Sequence, residues 1–238
     1  CVSRSRGSFT LPVAAETLLV VRKTDDALDF IDPGSGQRLA SVALGHAPHE
    51  VSVSPDGRRA VVSNYGTRER PGTTLSIVDL EQPRELRRID LAPHTRPHGV
   101  AWFAPDRIAV TTEGSQHLLV VDPDSGGIVT AIPTAQDVSH MVAVSRDGAR
   151  AYVTNIGSGT TTALDLAAGH KLGDVPTGAG SEALALTPDG TRAITSGLDS
   201  TVRVWDLSVD AAAQGHVYDG GYSDEHDEER GARLWRRV

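Results

Sequence analysis

The chain has 238 residues, 39% of them hydrophobic and 23% charged, with 24 Gly, 13 Pro and a single Cys. This is the composition of one globular domain, not of a low-complexity or disordered chain, and no apolar run reaches the roughly 18 residues that a membrane-spanning helix needs. One cysteine excludes an internal disulfide framework and a thiolate-built zinc site, so any metal must be held by His, Asp or Glu. A net charge of −8, with Arg84, Arg87 and Arg88 as the main basic cluster, argues against a nucleic-acid partner.

In chain order, Cys1 is followed by a short polar stretch, and residues 1–16 read as a tether. A mature chain opening on cysteine is what signal peptidase leaves on a bacterial lipoprotein, which makes Cys1 a candidate lipid anchor. A clipped or partial gene product is the alternative. Residues 17–208 carry a repeat. Leu19, Val20 and Val21 form a first short strand. Four segments then share a strand, turn, strand layout: 50–65 (EVSVSPDGRRAVVSNY), 100–114 (VAWFAPDRIAVTTEG), 141–156 (MVAVSRDGARAYVTNI) and 183–198 (ALALTPDGTRAITSGL). Their turn aspartates, Asp56, Asp106, Asp147 and Asp189, are spaced by 50, 41 and 42 residues. A second series marks the strand that follows, ending at Asp32, Asp79, Asp122, Asp165 and Asp206 with spacings of 47, 43, 43 and 41. The excess in the second unit is a polar insertion at 66–72. Residues 209–238, with seven acids and four bases, follow no such pattern and read as a charged, disordered tail.

Two landmarks with one period of about 42 residues define a repeat architecture. Within a unit, apolar and polar residues alternate or run apolar for a few positions between Pro-Asp-Gly and Asp-Pro-x-Ser-Gly turns. That is the pattern of short antiparallel strands, with Asp-Gly supplying positive φ at a tight hairpin. Helical spacing could be fitted only between Leu164 and Leu172. Four such strands per period make one propeller blade. The predicted fold is therefore all-β, a β-propeller of four-stranded antiparallel blades, about five in number.

The repeat resembles the YVTN family of β-propellers through Tyr152, Val153, Thr154 and Asn155, with a degraded copy at Val61, Val62, Ser63 and Asn64. The last unit, Val202 to Leu207, is similar to the strand ending of WD40 repeats. The resemblance implies extracytoplasmic placement, periplasmic or at the cell surface, and function as a binding platform, a surface-layer protein, a lactonase or a cofactor-bearing oxidoreductase. Propellers of this kind close with seven blades, about 290 residues at this period. Five units mean either a five-bladed ring or an unfinished seven-bladed one, whose open sheet edges would promote self-association.

Aligning the units gives one functional signal. His49, His140 and Glu182 each stand seven residues before their turn aspartate, and His98 stands eight before Asp106. The inner strands of a propeller line its channel, so these starts should meet at one mouth, with His46 and His94 nearby. Imidazole and carboxylate together are a ligand set for zinc, copper, nickel or non-haem iron. Without a metal they can bind an anion or serve as acid and base. Glu50 is a further candidate, because a one-residue register slip would turn it toward the channel. Inert histidines duplicated with the repeat are the simplest alternative. Asn64 and Asn155 are expected to tie turns, as are the aspartates that end the third strands. His117 and His170 read as surface residues, Trp102 and Trp205 as blade packing, and Gly178 to Gly180 as a loop.

The expectation is a non-enzymatic binding or scaffold protein of the cell envelope, with a small-molecule or protein ligand at the channel mouth and top loops. The candidate ligand residues are His49, His98, His140, Glu182 and Glu50. No cofactor is assigned, though a divalent transition metal on His49, His98 and His140 is considered. The alternative is a propeller enzyme, a lactonase-type hydrolase or a metal-dependent lyase, using the same ring. The serine-elbow, zincin and Walker patterns are missing from the sequence. Single-stranded nucleic acid is disfavoured by charge and by the 4% aromatic content.

Overall fold

The computed structural model describes residues 16–207 and the backbone of residues 236–237. The N-terminal tether, with Cys1, and nearly all of the tail thus lie outside the described residues. The chain folds into five antiparallel sheets, each formed by strands in sequence order. The first has three strands, β1 (Leu18–Arg22), β2 (Ala27–Ile31) and β3 (Arg38–Ala43). The second holds β4 (Pro48–Val53), β5 (Arg59–Gly66), β6 (Pro71–Asp79) and β7 (Arg84–Asp90). The third holds β8 (Pro97–Ala104), β9 (Arg107–Thr112), β10 (His117–Val121) and β11 (Ile128–Pro133). The fourth holds β12 (Ser139–Val144), β13 (Arg150–Asn155), β14 (Thr160–Asp165) and β15 (His170–Pro176). The fifth holds β16 (Ser181–Leu186), β17 (Arg192–Gly197), β18 (Val202–Asp206) and β19 (Arg236–Arg237). Two residues of the charged tail therefore pair with Trp205 and Asp206. A single 3-10 turn, Lys23–Asp25, is the one helical element among the described residues.

The hairpins form where the turn chemistry directs. The Asp56 carboxylate accepts from the Ser54 hydroxyl at 2.6 Å and from the Arg58 N–H at 3.1 Å. The same arrangement recurs at Ser145 and Asp147, and at Thr187 and Asp189. Only the following glycine takes positive φ, 72° at Gly57, so the turn differs from the expected hairpin in which both central residues do. The third-strand aspartates cap the next turn as expected. Asp79 accepts from the N–H groups of Glu81 and Gln82, and Asp122 from those of Asp124 and Ser125.

Alternation sends one face of each sheet to each neighbour. Leu28, Phe30, Val62 and Val78 fill the space between the first and second sheets, and Leu75, Ile77, Trp102, Ile108 and Leu119 that between the second and third. Leu118, Ile132, Val153 and Leu164 join the third to the fourth, and Tyr152, Ala163, Val175 and Trp205 the fourth to the fifth. Each fully buried large side chain contributes about 1.5–3 kcal/mol. Among the described residues no comparable cluster joins the fifth sheet to the first. Leu18 and Val20 stay exposed at one end of the run, and Leu198 and Val202 at the other. The first strands of successive sheets lie side by side, β4 by β8, β8 by β12 and β12 by β16, and so form the inner wall.

Candidate functional site

The inner strands begin on a common register. Pro48 pairs with Asn64, Pro97 with Thr112, Ser139 with Asn155 and Ser181 with Gly197. His49, His98, His140 and Glu182 each come next, inside a bulge where pairing skips. The equivalence is therefore strict. The odd eighth residue before Asp106 comes from a different hairpin, in which Trp102 pairs with Ile108 and Ala104 with Arg107.

A bulge leaves a backbone N–H without its ladder partner and re-aims the side chain beside it. Here a second-strand hydroxyl takes up that N–H. Glu50 donates to Ser63 Oγ at 3.1 Å, Gly99 to Thr111 Oγ1 at 2.9 Å and Met141 to Thr154 Oγ1 at 3.2 Å. The hydroxyl then reaches the next blade. Thr111 Oγ1 donates to the His140 carbonyl at 2.5 Å, and Thr154 Oγ1 to the Glu182 carbonyl at 2.7 Å. Close approach requires glycine at 99, where a Cβ would lie 2.5 Å from the His140 carbonyl oxygen.

Three imidazoles meet as a result. The His98 ring lies 4.2 Å from that of His49 and 3.7 Å from that of His140, centroid to centroid. His98 is only 2% exposed, and its Nδ1 has no hydrogen-bond partner. Burial, reinforced by His140 and His49, pushes the His98 imidazole down to about 2, so it is neutral at physiological pH.

An acid sits behind this stack. Glu113, 7% exposed, accepts from His140 Nδ1 at 2.7 Å and from the Tyr65 hydroxyl at 2.5 Å. A carboxylate only accepts, so His140 donates from Nδ1, and in its neutral form presents a lone pair at Nε2. Arg96 lies 3.8 Å from Glu113, donates to the Tyr65 hydroxyl and stacks on the Tyr65 ring. Burial and the bond to Glu113 push the Tyr65 phenol up to about 12, which keeps it a neutral donor. Lys23 stands 4.8 Å over the same ring, its ammonium held below the usual lysine range by burial.

The other candidates divide. Glu50 Oε1 lies 3.3 Å from His49 Nδ1, half-buried at the rim of the cluster. Glu182 is about half exposed, 3.9 Å from His140 Nε2 and beyond hydrogen-bond range. His46 instead faces Asp26 at 3.5 Å, and His94 bonds to Ser115 and packs against His117. Asn64 and Asn155 lace strands together, and Asn155 also ties the turn at 156–159 through Thr160, as expected. Asn155 donates to Thr160 Oγ1 and Thr162 Oγ1 and accepts from Ser139 Oγ, joining three strands of its blade.

Sequence reasoning missed Glu113, Tyr65, Lys23 and Arg96. The first three occupy one repeat position, immediately after the second strand at Lys23 and Glu113 and within the longer β5 at Tyr65, which Ile156 and Leu198 fill in the last two blades. Their differing chemistry hid the column, although Asn64 and Asn155 mark the place one residue earlier.

Two sets offer metal-ligand atoms within 4.8 Å of one another, His49 with Glu50 and His98, and His98 with Glu113 and His140. A tetrahedral ion with bonds of about 2.0–2.1 Å wants its ligands roughly 3.4 Å apart, so either set would have to contract on loading.

No protein-family model and no curated protein matches the sequence. Among solved structures, the chain is similar to a chain of the hydrazine synthase of Kuenenia stuttgartiensis, with a TM-score of 0.65 at 21% identity over 81% of its length. It is a β-propeller. The chain spans about half, 53%, of that structure's length, and a likeness at this identity speaks for the fold alone.

Proposed function

We propose that the protein is a non-enzymatic binding protein of the YVTN propeller type, acting in the cell envelope, with its ligand site at the channel mouth. His49, His98 and His140 form the floor of that site, and Glu50 and Glu182 its rim. The observation that carries the reading is the buried, unpartnered Nδ1 of His98 at the centre of the stack. Leaving a buried polar atom unpaired costs about 1–3 kcal/mol, a cost that a ligand supplying the missing partner relieves. The intact tetrapeptide Tyr152 to Asn155 motivates the envelope placement.

Thermal-shift measurements with divalent cations, phosphate and small carboxylic acids test the reading. At least one probe should stabilise the parent protein and leave His98→Phe unaffected, because phenylalanine keeps a ring but has no nitrogen. A panel that shifts neither protein, or shifts both alike, overturns the assignment.

One observation favours a second reading, a propeller enzyme. Glu113 orients His140 so that Nε2 is an acceptor, the arrangement of a general base. Hydrolysis of a lactone panel that His140→Ala abolishes would establish that activity in place of the first reading.

A further inference from the structure

We infer that His98, Glu113 and His140 form a binding site for one divalent transition-metal ion of the zinc, copper or nickel kind. This rests on the ligand site proposed above and names its occupant.

The three side chains are the most enclosed of the cluster. His98 is 2% exposed, Glu113 7% and His140 12%. Each offers a ligand atom within 4.8 Å of those of the other two. Two imidazole nitrogens and one carboxylate oxygen form a borderline donor set, which suits zinc, copper or nickel better than calcium or magnesium. The alternative trio of His49, Glu50 and His98 is more open, with His49 and Glu50 each about one third exposed.

An independent observation points the same way. His98 Nδ1 is buried and lacks a partner; of the other three such atoms among the described residues, Arg96 Nε and Trp102 Nε1 are N–H donors that cannot bind a cation, and Asn64 Oδ1 lies outside the trio. In the tautomer protonated on Nε2, His98 presents there a buried lone pair that an ion can take up. The acid is braced as metal-bound carboxylates are, with the Tyr65 hydroxyl donating to Glu113 at 2.5 Å and Arg96 beside it. Contraction is feasible because His98 and His140 both lie in bulges of their strands, where the ladder pairing is interrupted. A metal takes a nitrogen lone pair, so an ion held by both Glu113 and His140 coordinates through Nδ1, the side that Glu113 faces, and the proton now on Nδ1 is released to solvent.

The test uses the full chain, stripped with chelator, loaded with Zn²⁺ or Co²⁺, dialysed and assayed for metal by mass spectrometry. The parent should retain one equivalent. Glu113→Gln and His140→Ala should each weaken retention by at least about 100-fold, and Tyr65→Phe by about 10–100-fold, the range for a group that orients a ligand. Urea midpoints establish that each variant is folded, and Glu113→Gln serves if His140→Ala is not. The Co²⁺ absorption bands of the parent should change in Tyr65→Phe, which loss of packing alone would not cause. His170→Ala, at the start of the outer strand β15 and exposed, should retain the ion in full. Equal retention by parent and Glu113→Gln places the ion elsewhere and overturns the inference. No retained metal, together with another probe that stabilises the parent but not His98→Phe, overturns the metal site and leaves the ligand site standing. No response of either kind overturns both.

Discussion

Replacing Gly99 by alanine probes the contact that brings the imidazoles together. The added Cβ would lie 2.5 Å from the His140 carbonyl oxygen, 2.8 Å from Met141 Cα and 2.9 Å from Val142 N. All three are backbone atoms, so no rotamer change relieves the clash and β12 must move away from β8 by close to an ångström. Overpacking of this kind costs about 1–3 kcal/mol, and stretching the bridge from Thr111 Oγ1 to the His140 carbonyl adds about 1 kcal/mol. The sum, about 2–4 kcal/mol, corresponds to a fall in Tm of roughly 5–15 °C for a domain of this size. Gly57→Ala is the matched control. Gly57 has a φ of 72°, and a Cβ added there would meet no atom within 4 Å, so the change carries only the left-handed backbone cost of about 1–2 kcal/mol. Urea unfolding followed by tryptophan fluorescence, with Trp102 on β8 itself, should give a midpoint for Gly99→Ala well below that of the control, at unchanged slope. If the two variants unfold together, the close approach of β8 and β12 is not what holds the site.

Asn155→Ala should cost about 2–4 kcal/mol in urea unfolding, since Asn155 makes three side-chain bonds in a fully buried position. Asn64→Ala should cost less, by about one hydrogen bond or 0.5–1.5 kcal/mol, because Asn64 Oδ1 is already unpartnered. The turn aspartates predict an acid limb of the stability profile. Hydroxyl and N–H donors hold the carboxyls of Asp56 and Asp147 below the usual range and that of Asp189 down to about 2. Their folded values lie below the unfolded value of about 3.9, so the contribution is complete above that pH and is lost as pH falls through the folded values. Changing all three to asparagine should make urea midpoints fall less steeply between pH 5 and about pH 2, and an unchanged limb would refute the assignment. The expectation of self-association has a direct test in sedimentation velocity. The sedimentation coefficient should rise with concentration in the parent and cease to do so in the double variant Leu198→Lys, Val202→Lys, whose positions are 72% and 66% exposed.

The blades were legible because their cause is local. Asp-Gly turns and strand-ending aspartates act within a few residues, so their recurrence reports sheet after sheet. The histidine convergence was legible for a related reason, since equal repeat positions meet at the inner wall whatever the intervening loops. Glu113 and Tyr65 were not legible. Their partnership spans two blades and 48 residues, and the position they share carries a different residue type in each blade. The role of Asn155 was legible only in part, because an amide at a strand end suits a turn, which its bond to Thr160 does tie, while its links to Thr162 and Ser139 join strands that the local sequence does not show to be neighbours. Nor did the repeat reveal that the first sheet has three strands, with no inner strand among the described residues.

The hydroxyl bridges from Thr111 and Thr154 end on the carbonyls of His140 and Glu182, the very residues whose side chains point into the mouth. Blade phasing and side-chain placement are therefore governed at one point on the inner wall, while the outer rim is free to vary. The hairpin at 66–72 illustrates this separation. It extends β5 and β6 to a pairing of Gly66 with Pro71, yet His49 keeps the same register as its counterparts. Loop length at the rim and geometry at the mouth are thus separable variables, and new specificity could be grafted onto the rim without retuning the wall.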